Sequence, residues 1–116
     1  MKAYGIFQET VKDEVTFAEY RKHVMPTLAA HGGRFLVRGG AMSVVEGEWP
    51  HPRLVIIEFP SRAAAESWYR SPEYQAVLPL RLKSAVGNAV LVMGWSSAPL
   101  QSAPAYASPV QRCHAA

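Results

Sequence analysis

Residues 32–40 read GGRFLVRGG, residues 46–49 read EGEW, residues 53–61 read RLVIIEFPS and residues 68–74 read WYRSPEY. These four runs contain the clearest signals for secondary structure in the chain. The first and third are rich in aliphatic, β-branched and aromatic residues, which favours strands. Ser61 and Ser71 each precede a helical pattern, and serine is a preferred N-cap residue. The stretch therefore predicts two strands followed by two helix starts.

A strand and a helix are predicted before this stretch. Residues 2–9 have the composition of a strand. Thr16 and Glu19 have the spacing of a capping box and predict the start of a helix. Pro26 predicts a kink or a break in that helix, because proline removes a backbone hydrogen bond. Gly32-Gly33 predicts its end, since glycine readily adopts the left-handed conformation.

The remaining elements follow the same logic. We predict a second strand over 34–45 with a bulge at Gly39-Gly40, a loop over 46–52, a third strand over 53–59, helices over 62–70 and from Ser71 onward, and a fourth strand over 86–95. The order β-α-β-β-α-β is that of a ferredoxin-like sandwich. The fold class is therefore α+β, with a four-stranded antiparallel sheet whose helices lie on one face.

Both faces of the predicted sheet are apolar. In the third strand Leu54 and Ile56 point to one side, while Val55, Ile57 and Phe59 point to the other. Helices cover only one face, and the other would be a large apolar patch on a monomer. We therefore expect a homodimer that packs through the open sheet face.

The bulk properties indicate one domain of a globular protein. The 116 residues are 49% hydrophobic and 18% charged, and the net charge is +3. This mild charge does not favour nucleic acid as a partner. Cys113 is the single cysteine, which excludes an internal disulfide and makes a cytoplasmic location the expectation. We also expect no signal peptide and no membrane span, because no apolar run is long enough.

Residues 97–116 form a separate segment rich in proline, alanine and serine. Pro99, Pro104 and Pro109 recur at equal intervals, which is typical of an extended or disordered tail. We therefore place the folded domain at residues 1–96. Docking of the tail on a partner is an open alternative.

The four quoted runs resemble the domain of unknown function 1330 family. The resemblance covers roughly Met1 to Trp95. The resemblance implies the dimeric α/β-barrel superfamily, in which two ferredoxin-like sheets close face to face. Related dimeric barrels use the cleft between sheet and helices for cofactor-free oxygenation, isomerisation or breakdown of small organic compounds. The family itself carries no assigned activity.

Arg38 and Glu58 are the first candidates for a site, because each is a charge inside an apolar strand. Arg38 could bind a carboxylate or phosphate through its planar guanidinium. Glu58 could be an acid or base. The alternative is a structural ion pair, for example between the two. That interpretation is favoured for Glu58, whereas both interpretations stay open for Arg38.

The other candidates lie on the helices. Trp68, Tyr69 and Tyr74 form an aromatic group at a helix junction, and Arg81 follows Tyr74 by two turns. We expect Trp68 in the core, whereas Tyr69 and Tyr74 could offer their hydroxyls to a pocket. Arg81 could hold an anion there, although a lone arginine on a helix is more often solvated. His23 on the first helix could carry a proton, although a surface position is the commoner one.

Several chemical signals do not occur in the sequence. The four histidines lack metal-ligand spacing, and there is no phosphate-binding loop or nucleophile elbow. We therefore expect no metal or cofactor, and assign no catalytic residue. Two functions remain open: binding of a small anionic organic molecule in a cleft, with or without cofactor-free chemistry, and a non-catalytic, metabolite-binding or stress-associated dimer.

Overall fold

The computed structural model describes residues 1–95, which form one four-stranded sheet with three helices. The elements are β1 (Ala3–Val11), α1 (Glu14–Ala29), β2 (Arg34–Arg38), β3 (Arg53–Phe59), α2 (Arg62–Arg70), α3 (Pro72–Ser84) and β4 (Ala85–Met93). The strand order is β2-β3-β1-β4, and all neighbours are antiparallel. The ferredoxin-like α+β fold predicted from the sequence is confirmed. The predicted tail lies outside the described residues.

Two of the three helix starts are those expected from the sequence. The Ser61 hydroxyl accepts a hydrogen bond from the Ala64 amide at 3.0 Å, and the Ser71 hydroxyl accepts one from the Tyr74 amide at 3.1 Å. Each bond satisfies an amide that the helix itself leaves free. Pro72 occupies the first turn of α3, where its missing amide costs little.

The capping box at Thr16 was wrong. Helix α1 begins at Glu14, and its cap is Asp13, whose carboxylate accepts from the Thr16 amide at 3.2 Å and from the Thr16 hydroxyl at 2.7 Å. Both hydrogen bonds lower the pKa of Asp13, and the bond from the Thr16 hydroxyl has the larger effect. The amides of Lys12 and Asp13 both donate to the carbonyl of Ser84, which fixes the chain at this point. The helix therefore starts earlier than the Thr16–Glu19 spacing indicates.

Pro26 does not break α1, which continues to Ala29. The two glycines end it as expected: Gly32 has φ 75°, and the Gly33 amide donates to the carbonyl of Leu28 at 2.9 Å. Helix α1 thus packs along the sheet through one stripe, with Phe17, Tyr20 and Val24 buried.

Strand β2 is shorter than predicted, and its irregularity lies elsewhere. It ends at Arg38 instead of residue 45, because Gly39 turns the chain with φ 70°. The bulge falls at Leu36: Phe35 pairs with Ile57, but Val37 pairs with Ile56. An extra residue reverses the alternation of side chains beyond it. Arg38 consequently lies opposite Val55, on the face that the helices cover.

The two faces of the sheet differ in burial. On the covered face Val55, Ile57 and Phe59 are buried against the helices. On the open face Val90 and Val92 of β4 are 55% and 39% exposed. The predicted apolar open face is therefore present. In the described part of the chain, no helix combines the length and the apolar character needed to cross a membrane.

Candidate functional site

A cleft lies between α1 and the covered face of β1, β3 and β2. Its walls are apolar and largely aromatic, and charged side chains reach it from three strands and from α1. The lining residues are Phe7, Glu9, Phe17, Tyr20, Arg21, Val24, Phe35, Arg38, Arg53, Val55 and Ile57. An apolar cleft with a few convergent polar groups is the usual form of a small-molecule site.

Glu9 reaches this cleft because of strand alternation. In β1 the buried positions are Ala3, Gly5, Phe7 and Glu9, which all point toward the helices. The Glu9 side chain is only 4% exposed. A carboxylate in such surroundings needs compensation by opposite charge.

Two arginines provide that compensation. The Arg53 Nε lies 3.5 Å from one Glu9 oxygen, and the Arg81 Nη1 lies 3.7 Å from the other. Both contacts are ion pairs without hydrogen-bond geometry, and Arg53 Nε is a buried donor with no hydrogen-bond partner among the described residues. Burial raises the pKa of Glu9, and the charges of Arg81 and Arg53 oppose this rise.

Two tyrosines extend the buried polar group behind Glu9. The hydroxyls of Tyr20 and Tyr74 are 2.9 Å apart, and Arg81 Nε donates to the Tyr74 hydroxyl at 3.3 Å. Burial raises the pKa of both hydroxyls above the ordinary value of 10.0. Both are therefore neutral at physiological pH. Glu9, Arg81, Tyr74 and Tyr20 thus form a buried polar network, and of these four residues Glu9 and Tyr20 line the cleft.

The arginines at the cleft are packed on aromatic rings. The guanidinium of Arg38 lies 4.5 Å from the Phe35 ring centre. Those of Arg53 and Arg21 lie 5.3 Å and 5.2 Å from the Phe17 ring centre. Such contacts hold a guanidinium in place without neutralising its charge. Three arginines against one glutamate give the lining residues a formal charge of +2.

The cleft is narrow in this structure. Its cavity has a volume of about 30 Å³, which is room for one or two water molecules. Arg38 is exposed and is the last residue of β2, so its side chain lies at the mouth of the cleft.

The candidates predicted from the sequence do not all meet in this cleft. Arg38 lines it, whereas Arg81 and Tyr74 lie behind the lining, in the buried polar network. Tyr69 lines a different pocket, together with Phe7, Ala89, Val90 and Leu91. Trp68 is fully buried, donates to the Thr27 hydroxyl at 3.0 Å and lies 4.2 Å from the Tyr74 ring. Trp68 therefore occupies a core position.

Glu58 and His23 also lie away from the cleft. Glu58 is on the open face, where Arg34 donates to it at 2.9 Å and Lys2 lies at 3.5 Å. The Arg34 hydrogen bond lowers the pKa of Glu58. Glu58 and Arg38 do not pair, because the bulge places them on opposite faces. His23 is exposed on α1.

The sequence reasoning missed Glu9, Arg53 and Tyr20. The predicted first strand ends at Glu9, whereas β1 continues to Val11. The period of two through Gly5, Phe7 and Glu9 could have placed Glu9 on the covered face. Arg53 lies on the same face of β3 as Val55 and Ile57, so the same alternation could have placed it on the covered face. Within residues 1–95 no group of three metal-ligating side chains comes together.

Known proteins resemble this chain at two levels, a family match in sequence and a likeness in fold to solved structures. Residues 2–95 match a family described as "Domain of unknown function (DUF1330)". No curated protein matches the chain.

Several solved structures resemble this one. A protein of unknown function from Rhodopseudomonas palustris is 19% identical, with a TM-score of 0.66 over 84% of each chain. SnoaB from Streptomyces nogalater, a cofactor-independent oxygenase, is 11% identical, with a TM-score of 0.56 over 84% of this chain and 97% of its own. A dimeric ferredoxin-like protein of unknown function from a Jannaschia species is 14% identical, with a TM-score of 0.54 over 83% of this chain and 100% of its own. At these identities the likeness shows the fold.

Proposed function

The chain belongs to the DUF1330 family, which has no assigned activity, and we propose that its helix-covered cleft binds a small organic anion. One observation carries the proposal. Arg53 Nε is a buried donor at the cleft with no hydrogen-bond partner among residues 1–95. A buried polar group in this state costs about 1–3 kcal/mol. An oxygen of a carboxylate or phosphate would satisfy it.

The charge around the cleft supports an anion rather than a neutral ligand. Arg38 and Arg21 lie on the same lining as Arg53, and Glu9 is the only carboxylate of that lining. Guanidinium groups bind carboxylates with two parallel hydrogen bonds when the geometry allows. The remaining walls, with Phe7, Phe17 and Phe35 among them, suit the organic part of such a molecule.

The proposal concerns binding alone. The cleft could be the active site of an enzyme or the binding site of a non-catalytic protein. SnoaB is a cofactor-independent oxygenase, and it shares with this chain a fold that hosts several functions. Cofactor-free chemistry on a bound anion would require turnover, which product analysis after incubation with the bound acid measures. A non-catalytic metabolite-binding dimer predicts saturable binding with no product.

A thermal-shift series with small aliphatic and aromatic carboxylic acids tests the proposal. A ligand at 100 times its dissociation constant stabilises a protein by about 2.7 kcal/mol, which raises the melting temperature by several degrees. We expect this rise for carboxylates, a smaller one for the matching amides, and its loss in Arg38→Gln. Arg70→Gln is the matched control, because Arg70 is exposed at the end of α2 and outside the cleft lining. An equal rise in Arg38→Gln, or with the amides, would reject the anion site.

The open sheet face is proposed to pack against a second copy of this chain. Val86, Val90 and Val92 of β4 are 50%, 55% and 39% exposed there. The similar Jannaschia protein is dimeric. Burial of such apolar surface contributes about 25 cal/mol per Å², so a symmetric pairing of this face is favourable. The proposed anion site lies on the opposite face and stays accessible.

The folded unit is proposed to be residues 1–96, with residues 97–116 as an appended tail. The family match ends at residue 95, next to this boundary. A chain that stops at Ser96 should keep the melting temperature of the full chain, and a drop of more than a few degrees would place part of the tail in the fold. A cytoplasmic location is part of the same proposal, because Cys113 is the single cysteine.

A further inference from the structure

The Glu9 carboxylate lies beside the donor that is proposed to bind the anion. Arg53 Nε is 3.5 Å from one Glu9 oxygen, and both side chains line the same cleft. The Glu9 side chain is only 4% exposed, so salt and water do little to screen its charge. An anion that binds to Arg53 is therefore the second negative group beside one guanidinium.

The position of Arg53 sets an upper limit on the distance between Glu9 and such an anion. A hydrogen bond from Nε–H places the accepting oxygen about 2.9 Å from Nε. Because Nε is itself 3.5 Å from Glu9, that oxygen lies within about 6.4 Å of the nearer Glu9 oxygen. At an effective dielectric constant of about 20, two negative charges at this limit weaken binding roughly a hundredfold. A shorter distance increases the repulsion.

The cavity is too small for water to separate the two negative groups. Its volume of about 30 Å³ is room for one or two water molecules, which an entering anion displaces. Phe7, Phe17 and Val55 are among its walls and offer no polar atoms in place of that water. Two ionised groups in this space would both lack hydration, which is the state that a proton between them relieves.

The charged and titratable side chains around Glu9 come from β2, β3, α1 and α3. They are Arg38 of β2, Arg53 of β3, Tyr20 and Arg21 of α1, and Tyr74 and Arg81 of α3. Arginines in proteins do not lose their charge. Burial raises the pKa of both tyrosines, which stay neutral at physiological pH. Glu9 is therefore the member of this set that can change its charge near neutral pH.

We propose that the cleft takes up its anion together with one proton, which resides on Glu9. The inference rests on the proposed anion site and adds the condition under which that site is filled. The proton comes from solvent, and the protonated Glu9 carboxyl then donates a hydrogen bond to the anion that Arg53 binds. Two acidic groups that lie too close to be ionised together share one proton in this way. Burial already raises the pKa of Glu9, which favours this protonation.

Uptake of a proton makes binding tighter at lower pH. A bound anion raises the pKa of Glu9 further, because it adds a like charge nearby. The affinity should therefore rise as the pH falls from the pKa of Glu9 in the complex to its pKa in the free protein, and become constant below that range. The steepest change for one proton is about tenfold per pH unit, and we expect a total change of roughly a hundredfold.

NMR titration with formate and with nitrate, between about pH 5 and pH 8, tests this proposal. Formate is the smallest carboxylate, and nitrate is an inorganic anion of similar size that takes no proton in this range. Both should bind the wild-type protein more tightly as the pH falls. The carboxyl carbon resonance of Glu9, assigned by through-bond correlations, should titrate at a higher pH in the presence of either anion. This measurement requires no variant.

Three substitutions show which group takes the proton. In Glu9→Gln the anions should bind at least about tenfold more tightly than to the wild-type protein at pH 8, with little dependence on pH. Glu14→Gln is the matched control, because Glu14 is an exposed glutamate that lines the adjoining surface groove together with Glu9. His51→Gln removes an imidazole that titrates in the same range and lies 2.9 Å from the Thr10 hydroxyl. Both controls should keep the pH dependence.

The outcomes separate this inference from the proposed function. Anion affinities that do not change with pH, or a Glu9 resonance whose titration the anions leave in place, would overturn the proton uptake and leave the anion site standing. Loss of the pH dependence in Glu14→Gln or His51→Gln would also overturn the role of Glu9. Failure of both anions to bind the wild-type protein even at about pH 5 would overturn the anion site, and the inference with it.

Discussion

Arg53 lies directly opposite Glu9 in the pairing of β3 with β1, and its Nε stands 3.5 Å from the Glu9 carboxylate without donating a hydrogen bond to it. The two side chains therefore compensate each other's charge while both keep hydrogen-bonding capacity at the cleft. This arrangement explains how a buried carboxylate and a partly exposed guanidinium coexist in an apolar cleft. It also makes the position of the Arg53 guanidinium the feature on which binding depends.

Gly39→Ala should weaken anion binding by displacing Arg53. A Cβ at Gly39 would lie 2.5 Å from Nη1 of Arg53, and the φ of 70° is unfavourable for alanine. We expect a loss of roughly 1 kcal/mol or more in the free energy of unfolding, and an approximately tenfold weaker benzoate affinity by calorimetry. Gly40→Ala is the matched control, because nothing lies within 4 Å of its Cβ. Equal affinities of the two variants would contradict the role of Arg53.

The raised pKa of Glu9 predicts a specific pH dependence of stability. Burial raises it from the ordinary 4.5, so between the unfolded and the folded pKa the native state binds more protons. The contribution of Glu9 to stability is then fully present below 4.5 and declines as the pH rises through the folded pKa. Urea denaturation from acidic to neutral pH should show that the wild-type protein loses stability relative to Glu9→Gln across this window. A stability difference that is constant with pH, or a wild-type protein that gains stability relative to Glu9→Gln as the pH rises, would contradict the desolvated state of Glu9.

Tyr74→Phe should destabilise the buried polar network behind the cleft. Its hydroxyl accepts from Arg81 Nε at 3.3 Å and is 2.9 Å from the Tyr20 hydroxyl, so its removal leaves two buried polar groups short of a partner. We expect a loss of about 1–3 kcal/mol in the free energy of unfolding, measured by urea denaturation. Tyr69→Phe is the control. Gln75 donates a hydrogen bond to the backbone carbonyl of Tyr69, and the substitution retains this carbonyl. Similar losses in both variants would mean that the buried network contributes little.

Val90→Asp should convert the proposed dimer into a monomer. Val90 is 55% exposed on the open face of β4, and a charge there would be buried without a partner in a face-to-face pair. Light scattering at micromolar concentration should give the dimer mass for the wild-type protein and the monomer mass for the variant. Val15→Asp, at a 79% exposed position on α1, should remain dimeric. A monomeric wild-type protein would contradict the proposed packing of the open face.

Much of the fold follows from local signals in the sequence. The bounds of β3 and α2, and the caps at Ser61 and Ser71, agree with the prediction because strand composition and serine caps act over a few residues. The start of α1 was wrong because an aspartate cap at Asp13 competes with the Thr16–Glu19 pattern. Its position depends on the contact of residues 12 and 13 with Ser84, which is distant in sequence.

The site was less predictable, because it depends on which face of the sheet each side chain points to and on how the strands pair. The bulge at Leu36 turns Arg38 to the covered face, and no residue type in GGRFLVRGG indicates that position. Glu58, the other strand charge, lies on the open face with Arg34 and Lys2. Glu9 was readable in principle from the alternation of β1, but its pairing with Arg53 and Arg81 requires the three-dimensional arrangement.

Heteronuclear NMR of the Arg53 Nε–H group during a benzoate titration tests whether this buried donor binds the anion. Its resonance, assigned through its loss in Arg53→Lys, should shift saturably and with the affinity found by calorimetry, because the buried donor gains an acceptor. The Arg62 resonance, which reports an exposed pair with Glu66, should stay in place. Binding that shifts Arg62 and other surface arginines while Arg53 is unchanged would contradict the cleft as the anion site.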